Sequence, residues 1–278
     1  MSSSLPQTFG GKILYIIQNY GMTFLRGAGV TMAIAVVSTF IGLIIGFLVG
    51  IVQTIPTDRS KNPVKWVVLG VVRFILNVYV EVFRGTPMMV QAMFIYYGAS
   101  MLFGINMSMW TAAFFIVSIN TGAYMAETVR GGILSVDPGQ TEGAKAIGMT
   151  HFQTMVHVVL PQALRNIMPQ IGNNLIINIK DTCVLTVIGT VELFYASKSV
   201  AGAYYWYFES FTIAMIVYFT LTFLCSRLLR LFESKMDGPE SYDLATTDTL
   251  AHTSGMTRYP DDADKGGYGD KFTSRGDL

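Results

Sequence analysis

The side chains best placed to do chemistry in this sequence are charges set into apolar stretches: Glu81 and Arg84, Glu127 and Arg130, and the adjacent Lys180 and Asp181. A charge within a membrane-crossing helix is costly, so it faces a bundle interior or water and marks a pathway or an internal ion pair. Glu81 and Arg84 are three apart, as are Glu127 and Arg130, which lets each couple meet on one helix face. For these couples the favoured reading is an ion pair that orients helices. Near Lys180 and Asp181, the residues Asn173, Asn174 and Asn178 add a polar face that lipid does not tolerate. There, contact with a solute's ammonium and carboxylate weighs equally. Glu127, Asn174, Asn178, Lys180 and Asp181 are the candidates for a polar path. Arg84, Gly85 and Pro87 are the candidates for a gate or bend, since proline removes a helical hydrogen bond.

Other chemistries find no support. His151, His157 and His252 lack zinc-ligand spacing, and Cys183 and Cys225 lie in apolar stretches that indicate no disulfide framework or metal cluster. No GxxxxGK[ST] phosphate loop occurs, and no Ser/His or paired-Asp arrangement suggests an enzyme. Of the 278 residues 51% are apolar and 13% charged, about half the charge usual in a soluble domain. The 19 basic and 18 acidic residues argue against a nucleic-acid binder. Residues 236–278 hold 9 of the acids and only 4 of the bases, so the remainder is net positive.

A bilayer crossing takes about 20 apolar residues. Spans are expected at about 27–52, 64–103, 107–130, 167–191 and 209–232. The run from Gly85 to Ala126 is uncharged for 42 residues, too long for one crossing, and turns at Gly104-Ile105-Asn106. The stretch 64–84 is either a sixth span or the first half of a long helix continuing past Pro87. Five spans place Arg59, Lys61, Lys65, Arg130, Lys145, Arg165, Arg227, Arg230 and Lys235 on one side, against Lys12, Arg26 and Lys198 on the other. The positive-inside rule then selects five, with the N-terminus outside and the C-terminus in the cytoplasm. Residues 1–26 read as an N-terminal interfacial segment and 27–235 as the transmembrane domain. The acidic stretch 236–278 reads as a disordered cytoplasmic tail. Tyr204, Tyr205, Trp206 and Tyr207 read as an aromatic belt at the outer interface. The MSSSLPQ start lacks the pattern of a cleaved signal.

The connecting segment 131–166 is too long for a plain loop. Asp137 can cap a helix that has Pro138 at its first position, and Gly148 suits the left-handed residue that ends it. Thr150, with Gln153 three residues on, caps a second helix that Pro161 bounds. Helices are expected over 138–147 and 151–159. The caps fit two uses equally: an amphipathic connector on the membrane surface, or a docking knob for a cytoplasmic partner.

Glu142-Gly143-Ala144, three residues, Gly148, nine residues, then Val158-Val159-Leu160-Pro161 resembles the EAA loop of ABC importer permeases. The family has Ala where Gly143 stands and commonly Ile where Val158 stands. Glu81 to Pro87 (EVFRGTP), Tyr124 to Gly132 (YMAETVRGG), Pro161 to Arg165 (PQALR) and Lys180-Asp181-Thr182 resemble the amino-acid branch, whose substrates include histidine, glutamate, glutamine and arginine. The likeness covers about 20–235. It implies an all-α integral membrane protein with a five-span permease core and a cytoplasmic coupling-helix loop between spans 3 and 4. It implies a transport subunit of the plasma membrane rather than an enzyme, importing a polar or charged L-amino acid. The implied partners are a second permease subunit (identical or a close relative), an extracellular substrate-binding protein, and ATPase subunits that carry ATP and Mg. This chain itself is expected to hold no cofactor and no metal. Glu142, Gly143, Ala144, Gly148, Leu160 and Pro161 are the implied ATPase-coupling residues. The alternative is a self-sufficient ion-coupled transporter or channel using Glu127 or Asp181 as its ion site.

Overall fold

Gly42, Gly46 and Gly50 recur every fourth residue, a spacing that places them on one helix face and lets a second helix approach closely. The computed structural model describes residues 5–56 and 63–236, and there this stripe forms the central contact of the fold. α1 (Phe9–Thr54) lays it along α4 (Met109–Leu134). A Cβ at Gly42 would stand 2.6 Å from the Thr121 Cβ, and one at Gly50 2.8 Å from a Val129 methyl. The contacts advance together, so α1 and α4 run parallel. Ala112, Ile116, Val117, Met125 and Ala126 of α4 are fully enclosed.

α2 (Pro63–Gly85) and α3 (Met88–Phe103) follow one another along α4 in the opposite direction. Val80 packs with Ala126, and further on Ala92 packs with Ala112, Ala113 and Ile116. The limb expected over 64–103 is thus present as two helices broken at Thr86-Pro87. Gly104, at φ 68°, ends α3 at the expected turn, and Ser108 caps α4. Then come α5 (Pro138–Ala146), α6 (His151–Thr154), a π turn (Met155–Val159), α7 (Leu160–Asp181) and a 3-10 helix (Thr182–Ile188). α8 (Leu193–Tyr204) leaves this helical run at a bend of 54°, and α9 (Tyr207–Met236) ends the described chain. Arg59, Lys61 and the tail 237–278 lie outside the described residues.

The structure changes several expectations. The second loop helix does not stop at Pro161 but continues through the π turn into α7. The Leu160 N–H bonds the Met155 carbonyl, a wider turn that absorbs the missing N–H of Pro161. Residues 9–26 are not a separate interfacial segment but the first turns of α1. Their apolar stripe finds a protein partner: Ile16 and Phe24 are buried with Leu193, Val200, Trp206 and Ile213. Lys12 pairs with Glu209 at 3.0 Å, and the Tyr20 and Tyr204 hydroxyls share a hydrogen bond of 2.7 Å. Tyr204 and Trp206 stack in this cluster, so of the expected aromatic belt only Tyr205 and Tyr207 stay exposed. By length and composition, Phe9–Thr54, Pro63–Gly85 and Tyr207–Ser234 are able to cross a membrane, and the bent pair from His151 makes a fourth. α4 falls outside that set because Ser118, Asn120 and Thr121 occupy its middle, buried against other helices.

Candidate functional site

α7 returns along α4 antiparallel: Asn178 meets Thr121, and Ile167 packs on Gly132. The two helices set polar side chains opposite one another. With Thr86, Pro87 and Met88 from the α2–α3 break, Asn120, Tyr124, Asn174 and Asp181 enclose a cleft of about 270 Å3. A second cleft of about 310 Å3 shares Tyr124, Asn174 and Ile177 with it and reaches Arg84, Glu127 and Gln170. A third, of about 360 Å3, shares Arg84 and Glu127 and extends to Gln53, Arg73 and Arg130. The three form a polar line along α4.

The carbonyls freed at the break beside this line are hydrogen-bonded by side chains. Pro87 has no N–H to offer the Phe83 carbonyl four residues back. Gln91 Nε2 donates to that carbonyl at 2.8 Å and to the Thr86 carbonyl at 2.9 Å. Asn120 Nδ2 donates to the Phe83 carbonyl at 3.2 Å and to Gln91 Oε1 at 2.9 Å. A lone Gln or Asn in an apolar helix carries no spacing signal, so sequence reasoning passed over both. The one pointer was a glutamine four residues after a mid-span proline. Gln91→Leu removes the donor to the Thr86 carbonyl and one of two partners each from the Phe83 carbonyl and the Asn120 amide, at about 1–3 kcal/mol for a buried group left unpaired. The purified variant is expected to melt several degrees below the parent in a thermal unfolding scan.

The sequence candidates separate in space. Asn178 is buried and spends its amide on Thr39 Oγ1 at 2.7 Å and Thr121 Oγ1 at 3.0 Å, tying α1, α4 and α7 together. Asn174, Asn178 and Asp181 line the first cleft. Lys180 does not. One step round the helix, it borders an apolar cleft with Cys183, Phe194, Met215, Tyr218 and Phe219. The expected Glu81–Arg84 couple gives way to an interhelical one. Arg84 pairs with Glu127 across α2 and α4 and lies 5.5 Å over the Tyr124 ring. Arg130 keeps its expected partner, 3.7 Å from Glu127.

Glu192 is wholly buried and also went unnoticed in the sequence. It caps α8 through the Phe194 and Tyr195 N–H groups at 2.8 and 2.7 Å, and accepts from Thr186 Oγ1 and the Tyr218 hydroxyl at 2.9 Å each. These partners all donate, which keeps a buried carboxylate satisfied and fixes the bend into α8. Glutamate is not among the usual N-cap residues, so cap rules do not find it.

The loop matches its grammar. Asp137 Oδ1 accepts from the Gly139 N–H at 2.7 Å, Thr150 and Gln153 form a capping box, and Gly148 sits at φ 84°. Glu142 and Gly143 face out, and Ala144 is buried. A Cβ at Gly143 would meet nothing within 4 Å, so glycine here costs no packing. Leu160 packs against the Val129, Ile133 and Ala163 cluster, and Pro161 is exposed. Ile147 and Phe152, on either side of Gly148, are 79% and 74% exposed and form an apolar tip. A cleft of about 340 Å3 beside Glu142, Lys145 and His151 flanks it.

A bundle of long apolar helices enclosing a polar line, with a rigid capped loop at one end, defines a helical membrane permease. Residues 67–238 match the family described as binding-protein-dependent transport system inner membrane component. Over 228 residues the chain is 34% identical to the putative glutamine transport system permease protein GlnP of Rickettsia typhi, covering 82% of this chain and 95% of the relative. It is 35% identical to the glutamine permease GlnP of Escherichia coli K12 (76% and 92% covered) and to the arginine permease ArtQ of Bacillus subtilis (76% and 91%). A crystal structure of an amino acid ABC transporter with histidines superposes with a TM-score of 0.69 at 35% identity, covering 80% of this chain and 97% of that one. The inward-facing MetNI methionine ABC transporter shares the fold, with a TM-score of 0.59 at 21% identity over 76% and 96% of the two chains. This chain belongs to the family of binding-protein-dependent inner membrane transport components. It is a permease subunit of the ABC transporter type, not an enzyme.

Proposed function

We propose that this chain is one of two permease subunits forming the path for a polar or charged L-amino acid in an ATP-driven importer. The observation that carries this reading is the polar line along α4, with the Asp181 carboxylate at one end and the Arg84 guanidinium further along. A zwitterion requires that complementarity. The five crossings are α1, the broken limb α2–α3, α4, α7 with its 3-10 extension, and α9. The N-terminus lies outside, and the α5–α6 loop faces the cytoplasm. The basic residues Arg130, Lys145, Arg165, Arg227 and Arg230 support that orientation. An extracellular binding protein delivers the substrate.

ATPase subunits, which hold ATP and Mg, receive the loop. Ile147 and Phe152 supply the apolar anchor, Glu142 a polar contact, and Gly148 the sharp turn between them. α6 continues through the π turn into α7 with no non-helical residue between them, so a push on the tip reaches the helix bearing Asn174 and Asp181. Such a rigid lever suits alternating access. Reconstituting the chain with its ATPase and binding protein, and offering a panel of labelled amino acids, tests the reading. ATP-dependent uptake is expected, and Asp181→Asn raises KM by about tenfold, the scale of one charge-assisted contact. Uptake by this chain alone under an ion gradient overturns it.

A further inference from the structure

We infer that the Arg84–Glu127 ion pair is a substrate-operated latch across the path, an inference that rests on the amino-acid reading above and extends it. The pair lines both the second and the third cleft and so stands at their boundary. It joins α4 to the end of α2, which stops one residue after Arg84, beyond the Val80–Ala126 contact and the Asn120–Phe83 hydrogen bond that hold the two helices together. Its side chains are 41% and 40% exposed, so the bond is reachable from the cleft rather than sealed in a core. Arg84 also lies over Tyr124, whose ring lines both the first and second clefts. Thr121, Tyr124 and Glu127 step along one face of α4, and the first and last are about 9 Å apart at 1.5 Å per residue.

The chemistry of the exchange is conservative. A substrate α-carboxylate is the same group as the Glu127 side chain, and it accepts hydrogen bonds from the Arg84 fork in the same bidentate manner. The substrate ammonium, passed from Asp181, then replaces Arg84 beside Glu127. Each ion keeps a partner throughout the exchange. Arg130, 3.7 Å from Glu127, holds that carboxylate in place as Arg84 leaves. A solute lacking either charged group strands one member of the pair and does not open the latch. Specificity for the free amino-acid backbone thus resides at this bond, separate from side-chain selection elsewhere.

The test uses the reconstituted complex with labelled L-glutamine and L-arginine as probes. Proteoliposomes of the double variant Arg84→Gln/Glu127→Gln are loaded with the imported probe, and downhill efflux is followed without ATP. The variant is expected to leak roughly fivefold faster than the parent, the upper range for one part-exposed ion pair. The unlabelled α-amide of the probe competes for exchange in the variant and not in the parent. Arg84→Lys, which keeps the charge but loses the fork, retains low leak and shows a raised KM with kcat little changed. Should the double variant fail to co-purify with the ATPase, the Arg84→Lys result alone decides, and an unchanged KM overturns the latch. Parental import with unaltered leak in the double variant overturns the latch alone. Absence of import of either probe by the parent overturns the amino-acid reading and the latch together.

Discussion

Replacing Gly46 by Val is expected to remove the folded subunit from detergent extracts. A Cβ at this position would stand 2.7 Å from the Met125 carbonyl carbon and 2.9 Å from the Ala126 nitrogen. Both are backbone atoms of α4 and cannot rotate aside. The helices must separate along the whole stripe, and the contacts at Gly42 and Gly50 open with them. Overpacking a core costs about 1–3 kcal/mol when side chains can yield; here none can, so the loss lies at or beyond the top of that range. Size-exclusion chromatography and a thermal scan measure the effect, with Gly29→Val as control, since a Cβ there meets nothing within 4 Å. A Gly46→Val protein that elutes and melts like the parent contradicts the assignment of this stripe as the central contact.

Gly148→Val is expected to separate ATP hydrolysis from transport. At φ 84°, Gly148 occupies the left-handed region, where an L-residue costs about 1–2 kcal/mol and a β-branched one more. The strained turn opens and displaces Ile147 and Phe152, the two halves of the exposed tip. The buried face of the loop, Val136, Val159 and Ala163, packs against the bundle from other positions, so the fold is retained. Uptake falls by about tenfold or more, the scale of losing a small cluster of apolar anchors. Stimulation of ATPase activity by the loaded binding protein disappears as well. Normal substrate-stimulated ATPase activity in the variant refutes the coupling role. Gly143→Ala, which restores the residue common in the family and enters open space, serves as the neutral partner.

Features governed by local chemistry were legible before any coordinates. The Gly104 turn, the Asp137 and Thr150 caps and the left-handed Gly148 depend on residues within a few positions of one another. The spacing of Glu142, Gly148 and Leu160-Pro161 carried the family for the same reason: these residues lie in one contiguous segment. The apolar excess identified a membrane protein, and the runs of uncharged residues located the long helices, although α1 begins at Phe9 rather than 27 and α7 at Leu160 rather than 167.

The partners of polar groups were decided by the packing of distant segments. Spacing on one helix allowed Glu81 to pair with Arg84, but α2 lies against α4 and Arg84 takes Glu127. Asn178 lines the first cleft and also ties three helices together, while Lys180 turns to another cleft. Gln91, Asn120 and Glu192 gave no signal because each is satisfied by groups far along the chain or by backbone at a break. Pro161 read as a terminator, yet the π turn before it let the helix run on into α7. Composition and local spacing thus set the class, the long helices and the capped loop. Which polar side chains meet depends on helix rotation and crossing, and these follow from contacts between residues distant in the chain, such as Gly46 with Met125.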